Sequence, residues 1–314
     1  MMKTIDFDQL KSAKKAAMAR ALAQVEQQPD SRETLDLLNR AYREPQAQVI
    51  GITGPPGVGK STLTNALIAH WRGQGRTVGV IAVDPSSRRT GGALLGDRTR
   101  FTTNPDDQGV YVRSMAARDR LGGLAGLTVS GMVLMRAVYD VVLIETVGVG
   151  QSETDIVGVA DTVLFCVQPG SGDSLQFIKA GIVEIPHIVA ITKADMGAPA
   201  RRAMADMKGA LNLAGRMGAE PWDIPVLLLS SMRQQGVDEL VSAFDKHFDF
   251  LKENNFLKSA RHTQARQWLE EAVREKFGRV GLQHVESRLE MEIQDSPFER
   301  LFEISQAFQG RWAD

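Results

Sequence analysis

One segment of the sequence carries a complete phosphate-binding pattern, Gly54-Pro-Pro-Gly-Val-Gly-Lys60-Ser61. An apolar run precedes it and a stretch with helical spacing follows it, so its glycines would turn backbone N–H groups toward an anion at a helix N-terminus. Lys60 would place a cation on the outer phosphates of a nucleotide, and the Ser61 hydroxyl would bind Mg²⁺. The predicted nucleotide contacts of this segment are Gly57, Val58, Gly59, Lys60, Ser61 and Thr62.

Three acidic residues stand where a metal-bound triphosphate would lie. Asp84 and Glu145 each end an apolar run, and Asp97 lies in a glycine-rich segment. Taken singly, each has an ordinary explanation as a turn or a strand end, but oxygen ligands next to a phosphate loop are what Mg²⁺ requires. The predicted magnesium ligands are Ser61, Asp84, Asp97 and Glu145.

A third segment bears on the identity of the base. Thr192-Lys193-Ala194-Asp195 differs at one position from the Asn-Lys-x-Asp pattern of guanine sites. The carboxylate of Asp195 would accept from the two N–H groups on the guanine edge, a donor pair that adenine lacks, and the Lys193 stem would cover the ring. Ser230 and Ser231 follow the last apolar run, where G proteins close the base pocket. These residues predict GTP rather than ATP.

Seven apolar runs must position these side chains. They are continuously apolar and most are separated by helical stretches, which indicates parallel strands buried on both faces. Ligands of such sheets bind at the carboxyl ends of the strands, where the candidate residues lie. The predicted fold class is therefore α/β, a G-protein-like P-loop NTPase with a mostly parallel, doubly wound sheet. The runs are Val49–Ile52, Thr77–Val83, Val110–Val112, Asp140–Ile144, Thr162–Val167, His187–Ile191 and Pro225–Ser230.

Helical segments flank this domain at both ends, so we divide the chain into residues 1–45, 46–253 and 254–314. Pro29-Asp30-Ser31 should split the first segment into two helices, with Ser31 or Asp30 as the N-cap. In the last segment one apolar stripe either packs onto the sheet domain or forms a dimerisation arm, and we expect a homodimer. The stripe consists of Trp268, Leu269, Ala272, Val273 and Phe277.

Composition restricts the partners and the compartment. The 314 residues contain 37 Lys and Arg against 38 Asp and Glu, which argues against nucleic acid as the main partner. The single cysteine, Cys166, lies in an apolar run and excludes a disulfide framework or a thiolate metal cluster. No secretory leader is evident, and no apolar run approaches the roughly 20 residues of a membrane helix. We expect a cytoplasmic protein that binds neither nucleic acid nor a membrane.

Taken together, these segments resemble the MeaB/ArgK family, the G-protein metallochaperones of adenosylcobalamin-dependent acyl-CoA mutases. The resemblance covers residues 45–240 and implies a SIMIBI-type fold that uses GTP/GDP and Mg²⁺. It implies a GTPase that gates adenosylcobalamin loading and release on a mutase and is stimulated by it, with an adenosyltransferase as a further partner. Beyond the phosphate loop it rests on Asp84–Ser87, Gly91–Arg98, Arg113–Met115, Leu121–Leu124, Glu145–Glu153 and Pro169–Gln176 with Lys179.

The resemblance also implies roles for individual residues. The backbone amide of Gly148 would sense the γ-phosphate, and Gln151–Glu153 would belong to the same switch. Gln168 to Lys179 would form a further switch that meets the mutase, and Lys179 would stabilise charge on the transferring phosphoryl group. The implied catalytic residues are Lys60, Glu145, Gly148 and Lys179.

Three positions depart from the family pattern. Thr192 stands where the family usually has Asn, Ser174 where it has Glu and His187 where it has Asp. Thr192 lacks the amide that bridges base and phosphate loop, so we expect a lower nucleotide affinity. Ser174 falls in the partner-responsive segment, which favours a paralogue that serves an isobutyryl- or 2-hydroxyisobutyryl-CoA mutase. We interpret His187 as structural.

Other classes of protein use the same phosphate loop. A P-loop kinase would transfer the γ-phosphate to a small molecule or protein, but we identify no base at an acceptor pocket. A nickel-delivery GTPase would need a Cys/His site, whereas this chain has one Cys and five scattered His. A signal-recognition GTPase would bring a Met-rich helical domain, whereas the 12 Met here are dispersed.

Overall fold

Seven strands form one parallel sheet in the computed structural model, which describes residues 4–84, 101, 104–116, 126–146, 155–170, 184–214 and 222–311. All the pairings between neighbouring strands are parallel. The strands are β1 (Gln48–Thr53), β2 (Val78–Asp84), β3 (Val110–Ala116), β4 (Val141–Glu145), β5 (Thr162–Val167), β6 (Ile188–Ile191) and β7 (Val226–Leu228). Their order across the sheet is β3-β2-β4-β1-β5-β6-β7.

The apolar runs of the sequence are these seven strands. Every residue of β1, β4, β5 and β6 is buried, because helices cover both faces of the sheet. The order reverses at β1, which lies between β4 and β5, and this is the point at which doubly wound sheets bind their ligands. The predicted α/β fold is confirmed.

Eight helices account for most of the remaining described chain, and none of them is long and apolar enough to cross a membrane. The helix that follows the phosphate loop begins at Lys60, within the loop pattern itself. The helices are α1 (Phe7–Gln27), α2 (Arg32–Arg43), α3 (Lys60–Gly73), α4 (Gly126–Arg136), α5 (Ala198–Ala214), α6 (Val237–Glu253), α7 (Phe256–His284) and α8 (Pro297–Arg311).

Two capped helices form the N-terminal segment. Ser31, not Asp30, caps α2 by accepting from the Thr34 N–H, and Asp6 caps α1 in a reciprocal capping box with Gln9. Apolar side chains of both helices join α4 and the strands in one buried cluster. The N-terminal segment therefore covers part of one face of the sheet.

The apolar stripe of α7 is largely covered within the chain. Leu269 and Val273 are fully buried against Ile304 of α8, and the ring of Phe277 stacks on that of Phe308 with centroids 4.3 Å apart. Trp268 packs against Phe298 at the start of α8. Packing within the chain thus accounts for most of the stripe, and dimerisation stays a prediction.

A buried ion pair attaches α7 to the start of the sheet. Arg261 donates from Nε and Nη2 to the two oxygens of Asp161, at 2.7 Å each, and also to the Ala47 carbonyl. Asp161 in turn accepts from the Val49 N–H of β1. Because the pair is bidentate and Asp161 is buried, it fixes the position of α7 relative to β1 and β5.

Two histidines whose rings are in contact lie at the same amino-terminal edge of the sheet. The rings of His187 and His247 have centroids 4.4 Å apart, and Trp222 packs against His247. His187 Nδ1 accepts from the Val163 N–H at 2.9 Å, a bond that a carboxylate at this position would also accept. Burial lowers the pKa of His187 to about 4 and that of His247 to about 3.

These lowered pKa values predict loss of stability in acid. Below pH 6.5 the unfolded chain takes up protons on these imidazoles while the folded chain does not, so the free energy of unfolding should fall by up to about 1.4 kcal/mol per pH unit for each ring. In His187→Asn the side-chain oxygen still accepts from Val163, but one imidazole is removed. The change of the free energy of unfolding per pH unit between pH 6.5 and 5 should therefore be smaller by the contribution of one ring. Urea unfolding measures it.

The exposed His284 provides the control for this prediction. His284→Gln should retain the wild-type slope. An undiminished slope in His187→Asn would show that the buried pair does not govern acid stability.

Candidate functional site

The carboxyl ends of four strands, β1, β4, β6 and β7, bring most of the predicted site residues together. The phosphate loop follows β1, Glu145 ends β4, the Thr192–Asp195 segment follows β6, and Ser230 follows β7. Ile52 of β1 lies opposite Glu145 of β4 in the parallel ladder, which places the loop after β1 directly beside this carboxylate. Residues far apart in the sequence therefore share one edge of the sheet.

The phosphate loop packs closely against the end of β5. A Cβ at Gly54 would lie 2.3 Å from the Cys166 carbonyl oxygen, and the φ of Gly54 is 135°, so glycine is required here. Gly59 precedes α3 with a φ of 103° and no side-chain cap hydrogen bond is present at this helix start. The uncapped N–H groups at the start of α3 are suited to bind an anion.

Lys60 is buried at the first position of α3. Its ammonium donates to the carbonyls of Gly54 and Pro55, at 2.7 and 3.1 Å. These are neutral acceptors within the loop itself. Phosphate oxygens carry negative charge and accept more strongly than these carbonyls, so a phosphate bound at the loop would attract the Lys60 ammonium.

The two magnesium candidates whose side chains are described are in direct contact. Ser61 Oγ donates to Glu145 Oε1 at 2.6 Å, and Thr64 Oγ1 lies 2.8 Å from Glu145 Oε2. A hydroxyl and a carboxylate are the hard oxygen donors that Mg²⁺ takes, and they stand at the helix N-terminus where phosphates would lie. The residues present therefore fit a magnesium ion bound together with a nucleotide.

The remaining metal and switch candidates are only partly described. The backbone of Asp84 ends β2, two residues beyond Ala82, which lies opposite Glu145 in the ladder. Asp84 thus ends a strand at the predicted edge. Asp97, Gly148, Gln151–Glu153, Ser174 and Lys179 lie outside the described residues.

The predicted base-pocket residues lie against one another. Ser230 Oγ donates to Asp195 Oδ1 at 2.7 Å, and this bond holds the pKa of Asp195 below its usual value. Lys193 has a φ of 54°, a conformation uncommon outside glycine, and its ammonium donates to Gly57 of the phosphate loop and to the side chain of Gln168. Ser231 begins a short 3₁₀ turn next to Ser230. The Asp195 carboxylate and the Lys193 side chain thus lie two residues apart in the segment that follows β6.

Thr192 connects β6 to the phosphate loop. Its buried hydroxyl lies 2.8 Å from the Val58 carbonyl oxygen and 3.1 Å from that of Val167, while its own N–H also donates to Val167. The hydroxyl therefore supplies a link to the loop, which the sequence comparison with Asn did not anticipate. The expected lower nucleotide affinity stays a prediction.

One functional candidate was missed from the sequence. Thr64 follows Ser61 by three residues in α3, a spacing that puts both hydroxyls on one face of the helix. That spacing was the available indication, but only the register of β1 against β4 shows that the same face meets Glu145.

The fold and the site together define a P-loop nucleotide-binding protein of the G-protein type. The family model described as "Methylmalonyl Co-A mutase-associated GTPase MeaB" matches residues 18–284. The chain therefore belongs to the MeaB family of GTPases, and the resemblance found in the sequence is confirmed.

Named relatives agree with this assignment. A protein from Pyrococcus abyssi, assigned to the GTPases by its name, is 42% identical over 259 residues, which are 81% of this chain and 79% of the relative. The mitochondrial methylmalonic aciduria type A homolog of Mus musculus is 37% identical over 72% of this chain and 55% of its own length. A homolog of the same name from Caenorhabditis elegans is 32% identical over 91% of this chain and 77% of its own.

Solved structures share the fold. A crystal structure of an LAO/AO transport system kinase is 27% identical, covers 96% of both chains and has a TM-score of 0.67. HypB from Helicobacter pylori in complex with nickel is 18% identical, with a TM-score of 0.50 over 70% of this chain and 94% of its own, and supports the fold alone.

The Thr192 link predicts a measurable loss of stability. Thr192→Val keeps the shape of the side chain but leaves the buried Val58 carbonyl without this donor, so the free energy of unfolding should fall by about 1–2 kcal/mol. Thr192→Ser retains the hydroxyl and should lose less than half as much. Urea unfolding without nucleotide measures both, and equal stability of Thr192→Val and the wild type would contradict the link.

Proposed function

We propose that the chain hydrolyses GTP with Mg²⁺ and that this cycle gates adenosylcobalamin loading and release on a partner acyl-CoA mutase. The observation that carries the proposal is the contact of Ser61 with Glu145 at the start of α3. The Asp195 carboxylate, which accepts from Ser230, supports guanine as the base. Membership of a family described as mutase-associated supports the choice of partner.

Phosphate binding would use the start of α3. The amides of Gly57 to Ser61, with Thr62 next to them, would hold the phosphates, and Lys60 would exchange its loop carbonyls for β- and γ-phosphate oxygens. A bound Mg²⁺ would neutralise charge on the phosphates. Ser61 and Glu145 would hold it, together with Asp84 and Asp97 of the predicted set.

Selection of guanine would rest on Asp195. Its carboxylate would accept two N–H donors of the base, while the Ser230 hydroxyl keeps it ionised and oriented. Lys193, held by Gly57 and Gln168, would place its stem over the ring, and Ser231 would close the pocket. Thr192 would keep the phosphate loop and this pocket at a fixed separation.

The segment after Glu145 would act as the nucleotide-dependent switch. Thr146 donates from its N–H to Ile52 of β1, and a short 3₁₀ turn at Ile156–Gly158 packs so tightly on β1 that a Cβ at Gly51 would lie 2.3 Å from Ile156. Both ends of the switch are therefore fixed. The Gly148 amide between them would bind the γ-phosphate and release it after hydrolysis, which is a two-state change.

Partner recognition is the part of the proposal that depends most on the family. Gln168 to Lys179 would meet the mutase, and Lys179 would then stabilise the transferring phosphoryl group. Ser174 and Thr192 favour a mutase for isobutyryl- or 2-hydroxyisobutyryl-CoA, and an adenosyltransferase would deliver the cofactor.

The protein would act in the cytoplasm as a homodimer. In this scheme residues 1–45 and the arm 254–314 flank a GTPase domain at 46–253.

The partner-stimulated mechanism predicts different effects for two lysines. Lys60→Ala should lose nucleotide binding or turnover, whereas Lys179→Ala should keep most of its basal GTP hydrolysis and lose stimulation by the mutase. The basal and the stimulated rates are measured as release of phosphate from GTP in the presence of Mg²⁺, without and with a purified cobalamin-binding mutase. Equal loss of both rates in Lys179→Ala would remove this residue from its role. Transfer of labelled phosphate to an acceptor would instead favour a kinase.

The base pocket predicts a switch of nucleotide preference. Asp195→Asn replaces an acceptor by a donor amide, so GTP should bind about 10–100-fold more weakly while XTP, which has a carbonyl in place of the guanine amino group, should bind more tightly. Asp206→Asn on α5 changes an exposed carboxylate and serves as the control. Competition with a fluorescent nucleotide measures the affinities, and unchanged preference in Asp195→Asn would contradict the assignment.

A further inference from the structure

Glu145 is held at both of its oxygens by hydroxyls from one helix. Ser61 Oγ and Thr64 Oγ1 lie 2.6 and 2.8 Å from Oε1 and Oε2, and both residues belong to the same face of α3. Thr64 is completely buried and Glu145 is only 6% exposed. A carboxylate with one oxygen on each of two fixed hydroxyls has little freedom to rotate.

The Thr64 hydroxyl has one proton and two acceptors within reach. Its oxygen lies 3.0 Å from the Lys60 carbonyl oxygen, one turn back in α3, and 2.8 Å from Glu145 Oε2. The carboxylate is the nearer acceptor, and as an ion it is also the stronger one. The proton is therefore directed to Glu145, and the Lys60 carbonyl is the secondary acceptor.

The two hydroxyls would have different roles when a nucleotide and Mg²⁺ are bound. Ser61 Oγ is itself a proposed metal ligand, so one of its lone pairs would bind Mg²⁺ while its proton is still donated to Glu145, and the geometry of this bond would depend on the ion. Thr64 is one turn further along α3, buried beneath the carboxylate, and is not a proposed metal ligand. Its bond to Oε2 can therefore persist through metal binding and release.

We propose that Thr64 is a positioning residue for the magnesium site, holding Oε2 of Glu145 so that Oε1 stays directed toward Ser61 and the metal. The inference rests on the proposed function, since it needs Mg²⁺ at Ser61 and Glu145. Thr64 suits this role because a β-branched side chain buried in a helix has few accessible rotamers. Hydrogen-bond partners of metal ligands fix ligand orientation in this way and contribute to metal affinity.

Two isosteric or near-isosteric variants separate the hydroxyl from the packing. Thr64→Val fills the same space without a donor, and Thr64→Ser keeps the donor. With Mn²⁺ as the probe, electron paramagnetic resonance titration of the GDP complex should show about tenfold weaker metal binding in Thr64→Val. Thr64→Ser should stay within about twofold of the wild type. Affinity for GDP in EDTA, measured separately, should be the same in all three proteins.

The possible outcomes distinguish this inference from the function on which it rests. Wild-type Mn²⁺ affinity in Thr64→Val, or equal losses in Thr64→Val and Thr64→Ser, would overturn the positioning role. A wild-type GDP complex that binds Mn²⁺ no more tightly than free GDP would instead overturn the proposed magnesium site itself. If Thr64→Val fails to fold, Thr64→Cys replaces the hydroxyl by a thiol, which is a weaker donor, and should bind Mn²⁺ more weakly than Thr64→Ser. Equal Mn²⁺ affinity in Thr64→Cys and Thr64→Ser would then overturn the positioning role.

Discussion

The hydrogen bond between Ser61 and Glu145 joins the start of α3 to the end of β4. The proposed metal site depends on this bond, and the bond depends on the register of β4 against β1. Ser61 lies in the first turn of α3 and Glu145 is the last residue of β4, 84 residues later in the chain. They meet because β4 lies beside β1 with Ile52 opposite Glu145. A slip of one residue in this ladder would turn the carboxylate to the other face of the sheet.

The phosphate loop is also held by contacts from β5 and from the segment that follows β6. Gly54 lies against β5, Thr192 reaches the Val58 carbonyl from β6, and Lys193 reaches Gly57. Further along, Gln264 of α7 donates to the carbonyls of Val157 and Ala160, where the chain returns from the segment after Glu145. The C-terminal arm is thus in direct contact with the far end of the proposed switch, on the same helix that Arg261 attaches to the sheet.

The strands, the phosphate loop and the positions of Asp195 and Ser230 just after two of the strands were predictable, because continuous apolar runs and strand-end motifs are local features of the sequence. Thr64 was not recognised, since its role depends on the rotation of α3 about its axis and on the register of β4. The bond from the Thr192 hydroxyl to Val58 depends equally on the approach of two segments 134 residues apart. The contact between the rings of His187 and His247 likewise arises only once α6 packs against β6. Contacts between segments far apart in the chain leave no recognisable motif in the sequence of either segment, so they cannot be predicted from it.

The central claim is that Ser61 and Glu145 form a magnesium site that is completed by a guanine nucleotide. A crystal structure of the chain with a non-hydrolysable GTP analogue and Mg²⁺ tests it most directly. The account predicts an octahedral ion ligated by Ser61 Oγ and a phosphate oxygen, with Glu145 bound to it directly or through water and Asp195 on the guanine edge. A bound nucleotide with the Ser61–Glu145 hydrogen bond intact and no ion beside it would contradict the account.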